Sequence, residues 1–265
     1  MSWFGRWRRS TLLKRHCIPL ETFDAAVARL PILGGLDPSE RDRLRETTSL
    51  FLHRKTFSAA GGAEVDDDTR LAIALQACLL TLNLDERSYR DWSEIILYPD
   101  EFLRQREETD EAGVVHRSRD ILAGESWLGG PLVLSMAHVA ESGLRLGSNV
   151  VLHEFAHKLD MLNGDANGFP PLHRGMDAAG WAADFRAAYA DLSARVNAHE
   201  DTAIDPYATT DPAEFFAVLT EVFFETPQLL EGEYPAIYRQ LQQFYRQHPL
   251  TRLYPHHCRN RQQDT

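Results

Sequence analysis

Residues 150–164 read Val150-Val151-Leu152-His153-Glu154-Phe155-Ala156-His157-Lys158-Leu159-Asp160-Met161-Leu162-Asn163-Gly164. His153 and His157 are four apart, so on a helix both imidazoles project from one face, one turn from each other, and two ring nitrogens can reach one ion. Glu154 is rotated about 100° from His153, which lets its carboxylate serve a water on that ion without displacing either histidine. This is the H-E-x-x-H pattern, in which the glutamate is the general base. Ser148 or Asn149 can cap the start of the helix, and Asn163-Gly164 is a good left-handed stop. Leu152, Phe155, Ala156, Leu159 and Leu162 recur at helical spacing and bury the face opposite the histidines. The bland alternative is a coincidence among 11 histidines, and the helical context argues against it. A metal-dependent hydrolase is the leading reading.

The bulk composition fits a globular enzyme. At 265 residues and 43% hydrophobic content the chain can bury an ordinary core. The longest apolar run, Leu71 to Leu82, is short of a membrane span and contains Gln76. A formal net charge of -11 argues against direct nucleic-acid binding, which needs a basic excess. The opening segment is the exception, since Arg6, Arg8, Arg9, Lys14 and Arg15 precede the first acid, Glu21, with Trp3, Phe4 and Trp7 interleaved. It suits either a partner contact or a solvated terminus, and it is a poor secretion signal for want of an apolar core and a small-residue cleavage site. Cys17, Cys78 and Cys258 are odd in number and far apart, which fits neither a disulfide framework nor a cysteine metal site. A reducing cytoplasm is the expected compartment.

Along the chain, residues of about 20–84 read as helical. Phe23, Val27 and Leu30 mark one helix, and Asp37-Pro38-Ser39-Glu40 opens another toward Leu52. Gly61-Gly62 breaks the chain before a third helix from about Asp67. Short runs at Ile95-Ile96-Leu97-Tyr98-Pro99, Gly113-Val114-Val115 and Pro131–Ser135 read as strands of a small sheet. Further helices are expected from Trp181 to about Asn197, from Asp211-Pro212 to Glu225, and after Pro235. The Gly-Gly pairs lack the Lys-Ser/Thr ending of a phosphate loop and read as turns.

Two histidines leave a catalytic ion short of one protein ligand. The metzincin extension needs Gly three residues and His six residues after the second histidine; Asp160 and Asn163 stand there, which excludes that class. Glu214 and Glu221, seven apart on one face of an otherwise apolar helix, are the acids that stand out. On spacing alone Glu214 fits equally a capping box with Asp211 as its cap. His116, His138 and His173 have no partner at ligand spacing and are set aside.

The sequences His153-Glu154-Phe155-Ala156-His157-Lys158-Leu159-Asp160, Asn163-Gly164-Asp165, and Tyr207 with Asp211-Pro212-Ala213-Glu214 resemble the Mlc titration factor A family of bacterial zinc peptidases. The likeness extends to Ile96–Pro99, Gly130–Leu134, Phe244-Tyr245 and Pro249-Leu250. Around the site that family is similar to the catalytic domain of anthrax lethal factor, in which a zinc-binding Glu follows a distant H-E-x-x-H and a Tyr lies seven residues before it. The resemblance implies one zinc ion held by His153, His157 and Glu214, with Tyr207 donating its phenol to the developing oxyanion. On spacing Tyr207 equally suits a half-buried aromatic beside a turn. Asp160 and Glu221 then read as acids behind the ligands, since a zinc-bound imidazole gives its other N–H to a carboxylate or carbonyl; Asp160 has the alternative of bonding to nearby backbone.

The expected fold is therefore α+β, a mainly helical zincin-like domain spanning 1–265 with a small mixed β-sheet. It has a helical N-terminal part of about 20–84 and a catalytic part of about 90–250. Zincins place a substrate-pairing edge strand where Pro131–Ser135 lies. The implied activity is hydrolysis of peptide or aminoacyl bonds, aminopeptidase-like, by a metal-activated water with Glu154 as base. The resemblance also implies a partner, the glucose-regulating repressor Mlc, which the family removes from DNA by protein contact and which raises its peptidase activity. A non-catalytic protein that sequesters such a transcriptional repressor is the alternative, and net charge does not separate the two.

Overall fold

Local capping signals set the helices of the N-terminal part. The computed structural model describes residues 3–60, 64–84, 88–98, 107–109, 115–117 and 130–255. Helix α1 (Trp3–His16) leads into α2 (Leu20–Ala28), which buries Phe23, Ala26 and Val27. Helix α3 (Pro38–Arg54) begins at a full capping box: Asp37 accepts from the Glu40 amide and the Glu40 carboxylate accepts from the Asp37 amide. Helix α4 (Asp67–Leu80) is capped by Asp66 and buries an almost continuous apolar run that includes Gln76.

The sheet departs from the sequence reading in two ways. Strand β1 (Thr56–Ala59) falls inside the stretch read as helical; with four residues and no buried alternation it has no local signature. It pairs in parallel with β2 (Glu94–Tyr98), which pairs in parallel with β5 (Leu132–Ser135), in the order β1-β2-β5. The intervening strands β3 (Glu107–Thr109) and β4 (Val115–Arg117) form a separate antiparallel ribbon, with His116 on β4. Among the described residues the expected mixed sheet is thus a parallel sheet plus a ribbon, and β5 is an edge. Pro99, Gly113 and Val114 lie outside the described residues, as do Gly61-Gly62 and Cys258. Ile95, Leu97, Leu132 and Leu134 are buried and seat the sheet on the helices.

Ser135 closes β5 and caps a short helix, α5 (Met136–Glu141), absent from the sequence reading. Then follow α6 (Val150–Asp160), α7 (Ala178–Asn197), α8 (Pro212–Glu225), α9 (Pro227–Glu233), α10 (Pro235–Tyr245) and α11 (Pro249–Leu253). Trp181, Phe185, Phe216 and Phe244 of α7, α8 and α10 pack ring against ring at centroid distances of 4.3–6.3 Å. Each such buried side chain contributes roughly 1.5–3 kcal/mol, and together they fix α8 against α7 and α10. One hydrophobic cluster takes in Phe23 of α2, Leu75 of α4, Phe155 of α6 and Leu241 of α10. No helix among the described residues is long and apolar enough to cross a membrane.

Candidate metal centre

Asn149 caps α6, its Oδ1 accepting from the Leu152 amide at 2.9 Å. The buried face of α6 presents Phe155, whose ring meets Phe51, Tyr89 and Trp92. With that face fixed, His153 and His157 share the opposite side, their Nε2 atoms 3.1 Å apart and their rings steeply crossed at 78°.

The third member of the group comes from α8. Asp211 caps that helix by accepting from the Ala213 and Glu214 amides. The Glu214 carboxylate leaves the cap and faces the histidines instead: Oε2 is 2.9 Å from His153 Nε2 and Oε1 is 3.5 Å from His157 Nε2. An ion bound at about 2.0–2.1 Å holds tetrahedral ligands roughly 3.3 Å apart, so separations of 2.9, 3.1 and 3.5 Å suit a shared ion. Glu214 Oε2 is buried and directed at His153 Nε2, so the carboxylate and imidazole lone pairs converge on one point. Among the described residues these three are the group that could hold a metal ion.

The local electrostatics want a cation. Burial disfavours a charged imidazole at His153, yet contact with Glu214 and Glu221 and the nearby charge of Glu154 lift it to about 10. Burial likewise pushes Glu214 up, but the two imidazoles hold its carboxyl far below the usual range.

Behind His153 lies a built support. Its Nδ1 meets Glu221 Oε1 at 2.7 Å, which leaves Nε2 to offer its lone pair forward. Glu221 Oε2 accepts from the Asn149 amide. The Asn149 side-chain amide donates to Gln76 Oε1 at 2.7 Å and to Glu225 Oε1 at 2.6 Å, and Glu225 also accepts from the Gly143 amide at 3.0 Å. Burial raises the Glu225 carboxyl despite these bonds. The sequence reading missed Glu225 and the wider role of Asn149; their signals were a second acid one turn beyond Glu221 and a lone Gln in the apolar run of α4.

Asp160 takes the other course open to it. Its Oδ2 accepts from the Asn167 and Gly168 amides at 2.8 and 2.7 Å, while its Oδ1 and His157 Nδ1 are buried without hydrogen-bond partners among the described residues. It thereby pins a loop in which Gly168 has φ +74° and a Cβ would stand 2.3 Å from the Pro212 carbonyl oxygen, at the start of α8. Asp160 acts on the turn that delivers Glu214.

Glu154 is half-buried beside the trio. Tyr207 stands on a 3₁₀ turn, Pro206–Thr209, capped by Asp205, and its half-buried ring is 6.2 Å from that of His153. His173, by contrast, bonds to the Phe244 carbonyl and is not part of the group. Lys158 Nζ donates to the Gly130 carbonyl at 3.1 Å, tying α6 to the approach of edge strand β5.

The sequence model of a family described as "Glucose-regulated metallo-peptidase M90" matches residues 4–246. The chain belongs to the M90 metallopeptidase family. Proteins named Mlc titration factor A are among its relatives. That of Salmonella gallinarum is 40% identical over 252 residues, covering 93% of this chain and 92% of its own. That of Escherichia fergusonii is 36% identical over 249 residues, with 93% and 92% covered. That of Salmonella arizonae is 40% identical over 236 residues, with 87% and 92% covered. The M90 match takes in every residue of the His153, His157 and Glu214 group and its support, and it bears out the resemblance carried by the motifs.

Proposed function

We propose that this M90 protein is a zinc-dependent peptidase that hydrolyses peptide or aminoacyl bonds, with aminopeptidase-like action, in the cytoplasm. His153, His157 and Glu214 hold one zinc ion, Glu154 is the general base and Tyr207 the oxyanion donor. The observation that carries this reading is the convergence of two imidazole nitrogens and a carboxylate, with the rear nitrogen of His153 already committed to Glu221. Two histidines and a glutamate are a common catalytic zinc set.

When bound, zinc acidifies a water toward neutrality and polarises a carbonyl. The protein's own groups do the rest. Glu154 takes the proton from the attacking water and returns it to the leaving amine. Tyr207 donates its phenol to the carbonyl oxygen as negative charge grows there. Glu221 keeps the His153 ring oriented, and Asp160 keeps the approach to Glu214 in register. Strand β5, an edge strand among the described residues, would take an extended peptide through backbone hydrogen bonds.

The relatives are named for titration of Mlc, and on that ground the proposal includes binding of an Mlc-like transcriptional repressor. A purely sequestering protein is the second reading. Glu154→Gln separates them: it should keep zinc and repressor affinity while losing hydrolysis of aminoacyl and peptide substrates. Undiminished hydrolysis would remove Glu154 from the mechanism, and repressor binding by a wild type without hydrolysis would favour the second reading.

A further inference from the structure

The basic opening of this acidic chain is a built surface. Five cations precede Glu21 in a protein of net charge -11. Helix α1 places Trp7 and Lys14 one above the other, and Arg8 and Arg15 likewise, because seven residues make nearly two turns. All four side chains are exposed, Trp7 by 60%. The other side of α1 leans on α3, where Arg9 pairs with Glu46 at 2.6 Å. Arg9, Ser10, Leu13, Lys14 and Glu46 line an open cleft of about 450 Å³. The C-terminal turn of α3 joins the same end of the molecule, with the His53 ring stacked on His16 at 4.4 Å. Arg54 next to it feels burial and the like charges of Arg90, Arg9 and Arg8, which together lower its pKa.

Four guanidiniums crowded at one end, with Lys14 and Arg15 alongside and Glu46 taking one of them, create a local field that an anion relieves. The exposed indole decides between anions. Trp is amphipathic and seats at the headgroup level of a bilayer, where its ring is half wet and half apolar. A flat bilayer meets only this end, and the acidic remainder is screened beyond about 8 Å at physiological salt. A long nucleic acid would also have to run past the acidic body.

We propose that the α1 surface, centred on Trp7, Arg8, Lys14 and Arg15, docks this protein onto an anionic phospholipid bilayer. Lipid headgroup phosphates meet the cations and the Trp7 ring enters the interface.

The test is co-sedimentation of the full chain with vesicles mixing phosphatidylglycerol and phosphatidylcholine, against vesicles of phosphatidylcholine alone. The protein should sediment with the anionic vesicles at low salt and be released as salt rises, with a blue shift of tryptophan emission that W7F abolishes. Each cation near an anionic surface is worth about fivefold in partitioning, so the triple variant R8Q, K14Q and R15Q should bind roughly a hundredfold more weakly. Its far-ultraviolet circular dichroism and zinc content should stay unchanged. Equal sedimentation with neutral vesicles, none with anionic ones, or full binding by the triple variant would overturn the proposal. So would duplex DNA that strips the protein from vesicles, which would reassign the surface to nucleic acid.

Discussion

Glu214 and Glu221 lie seven residues apart on α8 and both touch His153, yet on opposite nitrogens. Glu214 faces Nε2 together with His157, where an ion fits, while Glu221 holds Nδ1 from behind. Their removal should therefore have unequal effects. Glu214→Ala removes one of the three proposed ligands and should abolish stoichiometric zinc. Glu221→Ala leaves the proposed ligand set intact and should weaken zinc about 10- to 100-fold. Competition against a chromogenic chelator measures both, and loss of metal in Glu221→Ala alone would reverse the assignment. Tyr207 poses a separate question, since its ring lies beside His153 without entering the ligand group. Tyr207→Phe should retain zinc and KM while kcat falls by about 10²- to 10³-fold, the usual worth of one oxyanion donor. A variant with wild-type kcat would reduce Tyr207 to a packing residue.

At the scale of elements, the metal centre depends on how α6 and α8 begin. Asn149 serves α6 as cap, bonds to Gln76 and Glu225 through its side chain, and gives its backbone amide to Glu221. Asn149→Ala loses the cap and leaves buried polar groups without partners, a combined cost of about 2–4 kcal/mol. Denaturant titration should show that loss, and zinc affinity should fall only as far as the uncapped first turn of α6 shifts the Asn149 amide, which the variant keeps, away from Glu221. Gly168 does the equivalent for α8. A Cβ there meets the Pro212 carbonyl at 2.3 Å in a backbone of φ +74°, so Gly168→Ala should displace the first turn of α8 and weaken zinc without touching a ligand. Unchanged zinc affinity in that variant would show that the loop yields instead. The elements themselves were legible where their signals are local: the Asp37 capping box, the Asp211-Pro212 start of α8, the paired histidines of α6. The bonds of Asn149 were not, because Gln76 and Glu225 are 73 and 76 residues away in sequence and no periodicity reports such contacts. Strand β1 and helix α5, of four and six residues, were too short to carry a period. Glu214 lay between the two, since cap and ligand share one spacing and the direction of its carboxylate is decided by the packing of α8 on α6.

At the scale of the whole molecule, the site joins α6, α8 and the Pro206–Thr209 turn, so whatever it binds is coupled to global stability. Zinc at a thousandfold excess over its Kd should add about 4 kcal/mol. A chelator should lower the denaturation midpoint and added zinc restore it; a midpoint indifferent to both would mean that the site is not formed as described. A second global coupling lies on the far side of Phe155. Lys55 is buried with its Nζ 2.5 Å from the Tyr89 carbonyl oxygen, bonded also to the Trp92 carbonyl, and 3.5 Å from the centre of the Trp92 ring. Burial, then the charges of Lys158 and Arg54, lower its pKa to about 7 from an ordinary 10.5, with Asp91 opposing. Below 7 the ammonium is charged in the folded and the unfolded chain alike, and the cost of burying it is present in full. Between 7 and 10.5 the unfolded chain keeps the proton that the folded chain releases, so this contribution makes folding more favourable as pH rises. Lys55→Met lacks the titrating group and should lack that slope. Urea denaturation of both proteins across this range should show the wild type gaining on the variant as pH increases; a difference that does not change with pH would mean that Lys55 keeps its proton inside the aromatic cage.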